Sequence, residues 1–138
     1  DLAKELQAEH VPGRQPLLTG LGLSLLAARA TGKVILDGVY NDITDAEGFE
    51  AECVQGRQMG FDGKTLIHPS QIEPCNRVFA PTDEEVDRAR RIIDAFEKAE
   101  AEGRGVVTVD GRMVENLHVE QARRTLALAE AIEALGTG

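Results

Sequence analysis

The sequence predicts an α/β fold in which parallel strands are joined by crossover helices. Three observations carry this reading. Within the 138 residues, the first 80 positions alternate helix, strand, helix, strand, helix, the order of a parallel sheet. Both strand candidates are short apolar runs that end in polar residues, and carboxyl ends are where α/β sheets place their chemistry. After Ala80-Pro81 the composition turns helical and strongly charged around an Asp110-Gly111 hairpin signal, so a helix–hairpin–helix appendix follows the sheet. Two strands cannot build a parallel sheet alone. With no starting Met, the chain is expected to be a portion of a longer protein whose missing sheet precedes Asp1.

Residues 1–9 read as a loop followed by a short helix, and His10-Val11-Pro12-Gly13-Arg14 as a turn. Residues 17–30 read as a helix that is apolar on most faces and therefore buried. Thr31-Gly32 stops it, with Gly32 just past the C-cap. Residues 34–40 form the first strand. Thr44 or Asp45 caps the next helix, where Ala46, Phe49 and Cys53 share a face. Residues 60–63 turn into a second strand over 65–67. A short helix over 70–78 is expected to be interrupted near Pro74.

Beyond the boundary, Thr82 and Glu85 match a capping box. Val86, Ala89, Ile92, Ile93 and Phe96 then form one apolar stripe. Gly103-Arg104-Gly105 ends that helix, strands over 106–109 and 112–114 flank the hairpin turn, and a last amphipathic helix runs over 119–135. Ala122, Leu126, Ala129 and Ile132 face inward in it. The expected division is thus 1–80 and 81–138.

A formal net charge of -9 disfavours a nucleic-acid partner, because phosphate surfaces need cationic ones. No window is long and apolar enough for a membrane span; the longest run, residues 17–30, is broken by Thr19, Ser24 and Arg29. No signal peptide is visible. Cys53 and Cys75 lack metal-ligand spacing and read as buried free thiols, which suits a reducing, cytoplasmic location.

The polar residues at the strand ends are the candidate site. Asp37 and Asp42 either order the loop and cap the helix or support a bound metal and substrate from behind; Tyr40 would wall the same rim. His68-Pro69 is either a strand-ending turn whose imidazole satisfies a backbone group or, with Ile67, part of a substrate channel. Residues 60–64 read as turn chemistry, because they lack a phosphate-loop pattern. Lys64 could meet a phosphate, with little weight. Glu115 and His118 are too few for a metal site, and His118 is expected at the surface.

Four segments, read together, resemble a known family: Asp-Gly-Val-Tyr-Asn-Asp (37–42), Gly-Phe-Asp-Gly-Lys-Thr-Leu-Ile-His-Pro-Ser-Gln-Ile (60–72), Phe-Ala-Pro-Thr-Asp-Glu-Glu-Val (79–86) and Asp-Gly-Arg-Met-Val-Glu (110–115). In this order they resemble the carboxyl-terminal half of the citrate lyase β-subunit-like CoA-ester lyases, which include citryl-CoA, malyl-CoA and citramalyl-CoA lyases. The resemblance covers nearly all of the chain.

It implies a (β/α)8 TIM barrel followed by a helical lid with a β-hairpin, of which this chain holds the last strands and the lid. It also implies Mg2+-dependent retro-aldol cleavage of a 3-hydroxyacyl-CoA to acetyl-CoA or propionyl-CoA and an α-keto acid; some members run the condensation or add thioester hydrolysis. Members are usually homotrimers or homohexamers in which one subunit's lid closes on its neighbour's site.

Asp1-Leu2-Ala3 matches the family's Asp-hydrophobic-Ala segment, which makes Asp1 the expected metal ligand rather than a merely solvated carboxylate. The family's Glu ligand and substrate-binding Arg would lie upstream of this chain. Ile67, His68 and Pro69 would line the CoA thioester channel, with Asp37, Tyr40 and Asp42 on the same rim. Met113-Val114-Glu115 stands where the family has Met-hydrophobic-Asp, so Glu115 is the expected catalytic acid of the lid. It departs from the family pattern by one methylene. Two rival readings are a non-catalytic paralogue that assembles with active subunits and a pyruvate-type aldolase that does not use CoA.

Overall fold

The computed structural model describes residues 2–103 and 106–136, so Asp1, Arg104, Gly105, Thr137 and Gly138 lie outside the described residues. The chain divides into two compact units between Phe79 and Ala80.

In the first unit a short helix, α1 (Leu2–Glu5), precedes the loop instead of following it. A 3-10 segment, Pro12–Leu17, then turns the chain; Gly13 (φ 77°) and Arg14 (φ 53°) both adopt left-handed backbone there. That conformation is uncommon for a residue with a side chain. Helix α2 (Leu18–Ala30) follows. It closes in a Schellman motif: the Lys33 N–H reaches the Ala28 carbonyl (2.9 Å), the Gly32 N–H reaches that of Arg29 (3.2 Å), and Gly32 takes φ 63°. The expectation that this helix is well buried needs correcting. Only Leu25 is buried, while Leu23 and Leu26 are 62% and 68% exposed. A helix apolar on most faces needs neighbours on most faces, and within this chain it does not have them.

Strands β1 (Leu36–Asp37) and β2 (Gly63–Lys64) pair in parallel, Leu36 with Gly63 and Asp37 with Lys64. The parallel crossover matches the sequence reading; the strand lengths do not. The first ladder is much shorter than 34–40, with Val34 exposed, and the second ends at Lys64, before the expected 65–67 begins. Strand length depends on how many residues find partners, which local apolar character cannot report. The helix between the strands, α3 (Ala46–Met59), is capped by Asp45, whose carboxylate accepts the Gly48 N–H at 2.9 Å. It ends at Gly60 (φ 107°).

A second 3-10 turn, Pro69–Gln71, leads into α4 (Ile72–Phe79). Pro74 does not interrupt this helix. It sits in the first turn, where the backbone N–H has no intrahelical partner to lose. The core gathers Phe49, Cys53 and Cys75, with Tyr40, Leu66, Val78 and Phe79 against them. At the amino-terminal side of the strands, Arg29 binds Asp62 through both guanidinium nitrogens (3.0 Å each), and Asp62 also accepts the Ile35 N–H at 2.8 Å. One fork thus joins α2 to the starts of both strands.

In the second unit α5 (Asp83–Ala101) opens with the expected capping box: Thr82 N–H to the Glu85 carboxylate (2.8 Å) and Glu85 N–H to the Thr82 hydroxyl (3.2 Å). The hairpin strands β3 (Val107–Val109) and β4 (Arg112–Val114) join through Asp110 (φ 50°) and Gly111 (φ 74°), the two positive-φ positions of a type I′ turn. Helix α6 (Asn116–Gly136) follows at once. Ala99, Val107, Val114 and Val119 form the core, with Ile92, Ile93 and Phe96 packed on it. Ala122 is buried as expected, but Ile132 is 42% exposed, because the α6 stripe outruns its cover toward the helix end. Among the described residues, no helix is long and apolar enough to cross a membrane.

Candidate functional site

The parallel ladder places Asp37 and Lys64 side by side at the carboxyl ends of β1 and β2. Asp37 is 1% exposed, and both of its oxygens are engaged. Oδ1 receives Arg14 Nη1 (2.7 Å) and the Gly38 N–H (2.8 Å); Oδ2 receives Lys64 Nζ (3.2 Å). Lys64 Nζ also meets Glu52 Oε1 on α3 at 2.6 Å. Arg14 Nε donates to Gln55 Oε1 (2.8 Å), and Gln55 Nε2 returns to the Gly13 carbonyl (2.6 Å). Two carboxylates and two cations therefore cancel in a site from which water is largely excluded, which is the condition under which buried charges are tolerated. Arg14 Nη2 is buried without a partner. The network holds Arg14 in its left-handed turn and leaves Lys64 no exposed side-chain surface for a phosphate.

The network seats against α3 at Gly56. A Cβ there would stand 2.9 Å from Asp37 Oδ2, so glycine is what lets the helix approach.

Just outside this buried layer lies the rim. Gln71, 3% exposed, bridges its two halves: Nε2 donates to the Tyr40 carbonyl after β1, and Oε1 accepts the Ile67 N–H after β2, both at 3.0 Å. The Tyr40 hydroxyl donates to Asp45 Oδ2 (2.7 Å), and its ring meets Phe49 edge-on with centroids 6.0 Å apart. The Asp45 carboxylate accepting that bond, together with partial burial, pushes the Tyr40 pKa up to about 12. In return, the hydroxyl and then the Gly48 N–H hold Asp45 below its usual value. Asp42 accepts from the Thr44 hydroxyl (2.7 Å) and N–H (2.9 Å), which lower its pKa and order the loop. His68 caps the 3-10 turn: its Nδ1 accepts the Ser70 N–H (3.2 Å) and lies 2.8 Å from the Ser70 hydroxyl. Ile67, His68 and Pro69 are exposed.

Asp37, Tyr40, Ile67 and His68 are thus gathered on or just beneath one rim, while Asp42 orders the loop beside Tyr40. Arg14, Glu52, Gln55 and Gln71 complete the assembly and were not singled out from the sequence. Gln71 had a local signal, a polar residue just after a strand-ending His-Pro. The others are too distant in sequence to have one.

Glu115 belongs to the second unit, between β4 and α6. It is exposed, and its carbonyl accepts the N–H groups of His118 (2.9 Å) and Val119 (3.3 Å), which makes it the N-cap residue of α6. A cavity of about 240 Å³ lies beside it, lined by Phe96, Val106, Met113, Val114, Glu115 and Asn116. Asp1, the expected metal ligand, lies outside the described residues. Among those residues, no group of three or more His, Cys, Asp or Glu side chains is placed to hold an ion.

A parallel ladder with a polar carboxyl-terminal rim is what the comparisons with known proteins meet. The family model of C-C bond lyases of the TIM-barrel fold matches residues 22–133. The chain belongs to the citrate lyase β-like C–C bond lyase family. A (3S)-malyl-CoA thioesterase of Cereibacter sphaeroides is 60% identical over 136 residues, covering 99% of this chain and 48% of that protein. The citrate lyase subunit beta of Escherichia coli is 42% identical over 130 residues, covering 94% and 43%. Among solved structures, CitE from Mycobacterium tuberculosis, in complex with magnesium, acetoacetate and coenzyme A, superposes with a TM-score of 0.73 at 31% identity, covering 93% of this chain and 48% of that one. The chain therefore spans about half the length of the lyase-family relatives it matches.

Proposed function

We propose that the complete protein carrying this chain acts on a malyl-CoA-type 3-hydroxyacyl-CoA thioester and cleaves it by retro-aldol chemistry to acetyl-CoA and an α-keto acid. The observation that carries this reading is the 60% identity to proteins named (3S)-malyl-CoA thioesterase, within a C–C bond lyase family. In this reading residues 1–80 are the last strands and helices of a TIM barrel, and 81–138 are a lid.

The rim residues and Glu115 each have a task in this reading. Ile67, His68 and Pro69 line the thioester channel, fixed in place by Gln71. Tyr40 walls the opposite side, with its ring set by Phe49 and its hydroxyl by Asp45. Asp42 orders the loop below, and Asp37 supports the rim from beneath by anchoring Arg14 and Lys64. As a base takes the 3-hydroxyl proton and that oxygen becomes the keto-acid carbonyl, the C–C bond breaks and its electrons move onto the acyl-CoA fragment as an enolate. Glu115 handles the proton at that carbon or at the thioester side.

Mg2+ dependence rests on the magnesium of the CitE neighbour and on the assignment of Asp1. The described residues do not themselves make a metal set, and ligands upstream of this chain would complete it. A bound Mg2+ would steady negative charge on the keto-acid oxygens.

Hydrolysis of the thioester is a second reading, favoured by the name of the 60% identical relatives. Water would then attack the thioester carbonyl and free CoA would leave. The test is product analysis on the full-length protein with citryl-, malyl- and citramalyl-CoA, with and without Mg2+. Acetyl-CoA and keto acid establish the lyase, free CoA and hydroxy acid the hydrolase, and both together the coupled reaction. No product from any thioester by folded protein would refute both readings.

A further inference from the structure

The α6 N-terminus departs from ordinary capping. In a capping box the N-cap side chain accepts the N–H of the third helical residue, while that residue's Glu or Gln side chain accepts the N-cap N–H. Helix α5 does this with Thr82 and Glu85. At α6 only the return half is present. The Glu115 N–H donates to His118 Nδ1 at 2.9 Å, so an imidazole stands where Glu or Gln usually does.

The flanking residues complete the motif. Val114, before the cap, and Val119, the fourth helical residue, are 8% and 3% exposed and share one core, forming a hydrophobic staple. The Glu115 backbone is thus held through its N–H, through its carbonyl and by buried neighbours on both sides. Its carboxylate makes no hydrogen bond or ion pair among the described residues.

We propose that His118 is a positioning residue for Glu115: by accepting the Glu115 N–H it fixes the backbone from which the uncommitted carboxylate is presented. This rests on the reading of Glu115 as the lid acid. Asn, Ser or Thr at position 115 would tend to fold its side chain back onto the helix. Glu is a poor cap, and with His118 holding the backbone its longer side chain is left pointing outward for chemistry. Gln at 118 can accept the same N–H and should substitute; Leu cannot.

The test is a double-mutant cycle on the full-length protein with its thioester substrate. His118→Leu should lower kcat by about tenfold, the scale on which small misplacements act, and leave KM nearly unchanged. His118→Gln should retain most of kcat. In a Glu115→Gln background, His118→Leu should cause no further loss, because a residue that acts through another is non-additive with it. Unchanged kcat in His118→Leu, or the same loss in both backgrounds, overturns the proposal. Full activity in Glu115→Gln alone overturns the lid-acid reading instead, so the two failures are separable.

Discussion

Asp37 and Lys64 lie in register on adjacent parallel strands, and their side chains meet at 3.2 Å with no exposed surface on either. Each is held by a second partner of opposite charge, Arg14 for Asp37 and Glu52 for Lys64. Removing one member strands the others. Lys64→Met should therefore destabilise the full-length protein by about 3–5 kcal/mol in urea unfolding, the usual cost of an uncompensated buried charge. Adding Glu52→Gln should recover part of that loss, because Asp37 and Arg14 then remain as a balanced pair. A double variant whose cost equals the sum of its singles would show that these charges are not coupled.

Tyr40 offers an optical test of the rim. With its pKa pushed up to about 12 by the bond to Asp45, its ionisation should be delayed well past the ordinary 10.0. A raised folded pKa favours the fold below the unfolded value, and that contribution is lost as pH rises through about 12. For Asp45, whose pKa is lowered, the sign is opposite: its contribution is present above the ordinary carboxylate range and is lost as pH falls through the lowered value. The tyrosinate signal that vanishes in Tyr40→Phe should have its midpoint near the raised value and move toward 10 in Asp45→Asn. A native midpoint already near 10 would mean that the bond is not formed in solution.

Cys53 and Cys75 are free and buried in the core beside Phe49. Burial, and then the neighbouring Cys75, pushes the Cys53 thiol up to about 12; burial also raises Cys75. Thiols held protonated and out of solvent are poor nucleophiles. Peptide mapping after treatment with a thiol reagent should find neither labelled in native protein and both labelled in denatured protein. Rapid native labelling of either would contradict the packing described.

Glu115→Asp shortens the side chain by one methylene and installs a strong N-cap. Unfolding stability should rise by about 0.5–1 kcal/mol as the shorter carboxylate caps α6. Turnover should change by about tenfold as the carboxylate's reach shifts by one methylene. Unchanged turnover with unchanged stability would show that the extra methylene has no role here.

What the sequence made legible was local. Thr82 with Glu85, Asp45 at its helix start, Gly32 past a helix end and the Asp110-Gly111 turn all act within a few residues of themselves, and each does what its chemistry demands. The extent of 34–40 and the burial of 17–30 were misread because both depend on neighbours elsewhere; Val34, Leu23 and Leu26 are apolar yet exposed in this chain. Pro74 was misjudged by position, since two residues later in the helix it would have broken it. For the site, the rim residues were visible as polar groups at strand ends. The layer beneath was not: Arg14 reaches Asp37 across 23 positions and Gln55 across 41, and no local pattern announces such a pairing.

The central claim is that Glu115 does acid–base work on a CoA thioester. The most direct measurement is kcat of the full-length protein on (3S)-malyl-CoA with Mg2+, compared with Glu115→Gln of matched stability. The account predicts turnover that falls by about 10²–10⁴-fold in the variant while KM stays close to that of the parent. A variant that turns over as fast as the parent would contradict it.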